Sequence, residues 1–112
     1  MRGLWRVPGR GKNKYNAIPI KVDKMRFDSK LEARFYEKLK AMVQAKELGY
    51  FLRQVPFHLP GNVTYRCDFQ LFWSNGEVSY IDVKGRDTPM SRLKRKQVED
   101  LYPVTIELVG KV

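Results

Sequence analysis

The sequence is poor in cysteine, in histidine and in acid, and it has no long apolar run. Its one cysteine, Cys67, cannot form an internal disulfide and cannot alone make a cysteine-based zinc site. That excludes a disulfide-stapled secreted module and points to a reducing compartment, the cytoplasm. No apolar stretch approaches the ~20 residues of a membrane span, so no membrane role is expected. Met1 to Lys14 is basic and glycine-rich without an apolar centre, so no signal peptide is expected. At 112 residues, 43% of them apolar, the chain has the size and apolar content of one domain with one core.

The shortage of acid is the strongest compositional signal. Twelve Asp and Glu stand against 22 Lys and Arg, a net charge of +10. So large an excess on so small a body implies a polyanionic partner, with nucleic acid first. An anionic membrane surface comes second, but no strongly basic amphipathic helix stands alone to support it. Residues 1–16 read as a basic arm, in which Arg10, Lys12 and Lys14 sit among glycines with no acid between them. Residues 17–112 form the single folded domain.

Ile18 to Val22 and Met25 to Phe27 predict two short strands around Asp23-Lys24. Lys30 to Glu47 predicts a helix. It has no Gly or Pro, Asp28 and Ser29 are both good N-caps, and Leu31, Phe35, Leu39, Met42 and Val43 form one apolar stripe. Gly49 is placed to cap its C-terminus. Phe51 to Leu59 carries Pro56, with Pro60 just beyond, and is expected to be an edge strand. From Val63 to Trp73 the odd-numbered residues are Val63, Tyr65, Cys67, Phe69, Leu71 and Trp73. They are expected on one face, opposite Arg66, Asp68, Gln70 and Phe72. Glu77 to Lys84 returns as the partner strand. Thr88 then caps a second helix with Pro89 at its first position. Met90, Leu93, Gln97 or Val98, and Leu101 are its expected apolar face. Pro103 stops it, and Val104, Ile106 and Leu108 alternate in a last strand. The pattern is an α/β domain with an α-β-β-β-α-β core, a mixed sheet flanked by helices, closed by a parallel crossover.

The hairpin register decides where two aspartates go. A two-residue Asn75-Gly76 loop sets apolar side chains beside polar ones and puts Asp68 and Asp82 on opposite faces. A three-residue Ser74-Asn75-Gly76 loop pairs Phe69 with Ile81, Gln70 with Tyr80, Cys67 with Val83, Asp68 with Asp82 and Arg66 with Lys84. The hydrophobic pattern selects this second register, and Gly76 is in place for its left-handed position. Like charges directly opposite on a sheet destabilise it. A divalent cation held by hard oxygen ligands, Mg²⁺ or Mn²⁺, explains the pair. Neutralisation by Arg66 and Lys84 on an exposed face is the plainer account.

Asn13-Lys14-Tyr15, Phe27-Asp28-Ser29-Lys30-Leu31-Glu32-Ala33, Asp68-Phe69 and Ile81-Asp82-Val83-Lys84-Gly85 together resemble the PD-(D/E)XK nuclease superfamily. The likeness is closest to small phage-encoded Holliday-junction-resolving endonucleases of the phage endonuclease I type. It runs from Asn13 to the second helix. Cys67 stands where a proline often precedes the first aspartate, and Asp82 where Glu is commoner.

The resemblance implies a restriction-endonuclease-like fold and a Mg²⁺-dependent endodeoxyribonuclease, with Mn²⁺ as substitute. Branched DNA, a four-way junction above all, is the implied substrate. Nicking or restriction-type cleavage of other DNA and non-catalytic nucleic-acid binding are the alternatives. Asp68 and Asp82, helped by the Val83 carbonyl, would hold the metal. Lys84 would orient water or neutralise charge on phosphorus. Glu32 would complete the site directly or through water, although Ser29 to Glu32 also reads as a capping box. Gln54 and Gln97 are accessory candidates for metal-bound water or the DNA backbone. Arg66, Arg86, Arg92, Arg95 and Lys96, with Lys94 beside them in the helix run, read as phosphate contacts. His58 reads as a surface strand residue and Tyr36 as packing. Two symmetric cuts imply a two-fold homodimer, and phage origin implies the host cytoplasm.

Overall fold

The computed structural model describes residues 20–112. The basic arm, with Arg10, Lys12 and Lys14, lies outside the described residues. Two short strands, β1 (Ile20–Val22) and β2 (Met25–Phe27), form an antiparallel ribbon. Helix α1 (Lys30–Gln44) follows, then β3 (Leu48–Leu59), β4 (Val63–Trp73), β5 (Val78–Val83), helix α2 (Pro89–Leu101) and β6 (Ile106–Val109). The four later strands make one mixed sheet in the order β3-β4-β5-β6, with β5 and β6 parallel and the other pairs antiparallel. This is the α/β architecture expected. Pro56 is accommodated because β3 is an edge strand. Among the described residues no helix is long and apolar enough to cross a membrane.

Helix α1 starts at Ser29, whose hydroxyl accepts the Glu32 N–H at 3.1 Å. It ends at Gln44, just past the last residue of its apolar stripe and three residues short of the expected Glu47. Lys46 takes the left-handed conformation (φ 65°). Glu47 N–H donates to the Met42 carbonyl and Lys46 N–H to the Val43 carbonyl, both at 3.0 Å. This is a Schellman stop with lysine in the place usually taken by glycine. Gly49 is therefore not the cap but part of β3, where a side chain would meet the Phe72 carbonyl. The β4–β5 turn has the predicted three-residue form, with Gly76 at φ 94° and Phe69 opposite Ile81, Gln70 opposite Tyr80 and Leu71 opposite Ser79.

Two apolar clusters fill the interior. One joins Phe35, Tyr36 and Leu39 of α1 to Phe27, Leu48, Phe69, Leu71, Ile81, Val83 and Val109. The other joins Val98 of α2 to Phe57, Leu59, Tyr65, Cys67 and Ile106. The odd-numbered residues of β4 are thus inward-facing as expected, but they do not share one core. Tyr65 and Cys67 pack with α2, whereas Phe69 and Leu71 pack with α1. The change falls at Asp68. On β3 it falls between Phe51 and Val55, where Gln54 adopts φ 54°.

Helix α2 corrects a second expectation. Its buried residues are Arg95 and Val98. Met90, Leu93 and Leu101, expected to face the core, are 60%, 53% and 56% exposed. The helix is rotated so that Val98 and the Arg95–Asp87 pair meet the domain, while Met90, Leu93 and Leu101 do not. Arg95 donates to both oxygens of Asp87, at 2.9 and 2.6 Å.

Candidate functional site

The β4–β5 ladder stops at Phe69–Ile81, one step before the two aspartates. The direct Asp68–Asp82 pairing, and the Cys67–Val83 and Arg66–Lys84 pairings beyond it, are not made. The strands part, and the carboxylates cross the gap. Asp82 Oδ1 accepts the Asp68 N–H at 2.9 Å, and Asp68 Oδ2 accepts the Val83 N–H at 2.9 Å. Each side chain thereby replaces a ladder bond, and each negative charge gains an N–H donor. This relieves the repulsion that opposed carboxylates in a closed ladder would suffer.

Asp82 is 1% exposed, and its Oδ2 is buried with no hydrogen-bond partner. Burial raises the Asp82 carboxyl above the ordinary range, against the Asp68 N–H and the charges of Lys84 and Arg95. Asp68 is raised in the same way, against the Val83 N–H, Lys84 and Gln54. Lys84 is only partly buried, and its charge acts on both aspartates. Its own N–H is fixed by the Val109 carbonyl at 2.9 Å, which ties this end of β5 to β6.

Glu32 enters from the first turn of α1. Ser29 caps the helix, yet the Glu32 carboxylate is not returned to the Ser29 amide as a full capping box requires. It is buried, takes a backbone bond from Asp28, and lies 3.5 Å from Gln54 Nε2 and 3.8 Å from Arg53 Nη2. Burial, with the Asp68 and Asp28 carboxylates, pushes its pKa up to about 7, against the Arg53 charge. Gln54 Nε2 is also 3.5 Å from Asp68 Oδ1, so one amide stands between two carboxylates. Among the described residues no three His, Cys, Asp or Glu side chains form a closed ligand group. The feature that suits a cation is the unpartnered Asp82 Oδ2 beside the Asp68 carboxylate. Hard carboxylate oxygens suit Mg²⁺ or Mn²⁺.

The structure therefore brings together Glu32, Gln54, Asp68, Asp82 and Lys84, with the Val83 N–H among them. It does not bring Gln97, which lies exposed on α2. Arg66, Arg86, Arg92 and Lys96 are exposed, and Arg92 Nη1 is 3.6 Å from Asp87. Arg95 is withdrawn from the expected phosphate contacts, because Asp87 occupies its donors inside the domain. A surface groove of about 570 Å³ lined by Gln70, Val78, Tyr80, Val104 and Glu107 shares no residue with the site.

Two residues near the site carry no sequence signal of their own. Arg53 reads as a surface cation on an edge strand, but its guanidinium lies 4.1 Å from the Phe27 ring and beside Glu32. Asp28 reads as a helix cap, yet its charge acts on both Glu32 and Asp68.

A family model described as "Protein of unknown function (DUF1064)" matches residues 12–109. The chain belongs to this family. No curated protein and no solved structure matches it. The matched span takes in every element from β1 to β6 and all five clustered side chains.

Proposed function

We propose that this DUF1064 protein is a divalent-cation-dependent endodeoxyribonuclease that hydrolyses phosphodiesters in branched DNA, with the four-way junction as its substrate. The observation that carries the reading is the carboxylate pair in the opened β4–β5 gap, one of whose oxygens is buried without a partner. The resemblance to PD-(D/E)XK enzymes supports it, as does a net charge of +10.

Asp68 and Asp82 would hold Mg²⁺, which supplies an acidified water and neutralises charge developing on phosphorus. The chain's own groups have separable tasks. Lys84 presents a cation beside both carboxylates, where a phosphate oxygen needs one. Glu32 brings a third, buried carboxylate, with the Gln54 amide between it and Asp68. The exposed Arg66, Arg86, Arg92 and Lys96 follow the backbone without reading bases. Junction resolution requires two symmetric cuts and hence a two-fold dimer. The enzyme would act in the cytoplasm, that of the host if it is phage-encoded.

Labelled four-way, nicked and linear duplexes incubated with Mg²⁺, with EDTA and with the Asp82→Asn variant test this reading. Mg²⁺-dependent cutting of the junction, abolished by EDTA and reduced at least ~10³-fold by the substitution, is expected. Equal cutting of linear duplex removes the junction assignment. Binding without product under every condition leaves a nucleic-acid-binding protein.

A further inference from the structure

The β1–β2 ribbon lies outside the main sheet and carries cations in positions that local structure disfavours. Its register sets Lys21 directly opposite Arg26, and both are exposed. Like charges so placed destabilise a strand pair by up to ~1 kcal/mol. The residues of opposite parity, Ile20, Val22, Met25 and Phe27, pack against the α1 cluster, so the pair cannot turn inward. At the tip, Asp23 and Lys24 have φ 53° and 65°. Such a turn favours Asn-Gly, and Lys24 occupies the glycine position. The one acid of the ribbon, Asp23, does not offset these charges on the outer face. It accepts the Tyr36 hydroxyl at 2.7 Å and Lys40 Nζ at 2.5 Å, both from α1.

The ribbon is also tied to the carboxylate cluster. Arg53 Nη2 lies 3.2 Å from the Arg26 carbonyl and 3.8 Å from Glu32 Oε2, and its guanidinium packs on Phe27. The guanidinium thus bridges β2 and the first turn of α1. Among the described residues Lys21, Lys24 and Arg26 make no ion pair, and Arg53 joins their ribbon to Glu32.

We infer that the outer face of the β1–β2 ribbon is a contact surface for the phosphodiester backbone of DNA, on the strand that reaches the carboxylates. The inference rests on the nuclease reading for its choice of polyanion. A run of phosphates offsets the Lys21–Arg26 repulsion and uses the lysine at the tip. A membrane surface fits less well, since the ribbon's apolar residues are buried in the domain and leave no anchor.

The test is binding of a labelled four-way junction in EDTA across a salt series. It uses the wild type, the double variant Lys21→Thr/Arg26→Thr, and the charge-preserving Lys21→Arg/Arg26→Lys. A control, Lys46→Asn/Lys111→Ser, removes two cations at the far end of α1 and in the C-terminal tail. The threonine variant should bind about 10-fold more weakly and lower the log–log salt slope by about 2. The charge-preserving variant and the control should keep the wild-type slope. An unchanged slope in the threonine variant overturns the inference, as does an equal loss in the control. Loss of binding to anionic phosphatidylglycerol vesicles with DNA binding intact also overturns it. If the slope falls as expected but Mg²⁺ yields no product on any DNA, the nuclease reading fails and the surface assignment stands. If the junction is cut and the slope is unchanged, the surface assignment alone fails.

Discussion

The two helices meet the sheet by different means. Helix α1 inserts Phe35, Tyr36 and Leu39, and its cluster is dense in rings: Phe35 packs on Phe69 at 5.2 Å and Tyr36 on Phe27 at 5.0 Å. Helix α2 inserts one valine and one arginine, and leaves its apolar stripe outside. Aromatic burial is the large favourable term in a small domain. A buried ion pair adds little net stability, because desolvation consumes most of its attraction. The α1 side therefore rests on aromatic burial, whereas the α2 side adds the Arg95–Asp87 pair, whose charges reach Asp82. The carboxylates lie along the seam, at Gln54 and Asp68, where β3 and β4 pass from one cluster to the other.

The sharpest way to break this contrast is truncation on the α1 side. Phe35→Ala should cost about 3–5 kcal/mol, read as a lower urea midpoint with little change in slope. A loss below ~1 kcal/mol would mean that the α1 cluster is not the main support. Next in size is Asp87→Ala. It strands the Arg95 guanidinium in the interior and should cost about 3 kcal/mol. The companion change Arg95→Met/Asp87→Leu should recover most of that loss, since it removes both charges.

Glu32→Gln should act in the opposite direction. The Glu32 pKa is about 7 in the folded chain against an ordinary 4.5. The native state thus binds more protons than the unfolded one between those values, and stability falls as pH rises from about 4.5 to 7. The variant should therefore be more stable than wild type at pH 8 by roughly 1–2 kcal/mol and nearly equal to it at pH 4. A thermal melt at each pH reads the difference, and a variant less stable at pH 8 would contradict it. The smallest effect is expected at Leu93→Ser, within about 0.5 kcal/mol, because that side chain faces solvent. A larger loss that varies with protein concentration would show the outer face of α2 to be covered in solution.

Much of this arrangement is legible in the sequence, for physical reasons that can be named. The three-residue turn follows from Gly76 and from the cost of setting Phe69 opposite Asp82. The register from Phe69–Ile81 to Leu71–Ser79 follows in turn. The opening at Asp68 is not legible, because the alternation of β4 continues unbroken through Cys67 and Phe69. Only the packing of the two clusters separates them. Helix α2 misleads for a related reason. Met90, Leu93 and Leu101 fall at helical spacing, but a stripe does not say which face the domain takes, and the Asp87–Arg95 pair decides that. Lys46 misleads at the end of α1, since a left-handed stop is read from glycine. At the site, Glu32, Asp68, Asp82 and Lys84 stand out by type and order. Arg53 and Asp28 do not, because their parts arise only when β3 and the ribbon close around the first turn of α1.

Asp82, fully buried, and Asp68, partly buried, are proposed to hold a divalent cation at a cost to stability in its absence. Mg²⁺ titrated into the protein at pH 8, followed by calorimetry and by melting temperature, tests this most directly. The wild type should bind Mg²⁺, with a rise in melting temperature that grows with Mg²⁺ concentration. Asp82→Asn should melt higher than wild type without metal and show no rise with it. A wild type that takes up no Mg²⁺, or an Asp82→Asn variant that binds it equally well, would contradict the claim.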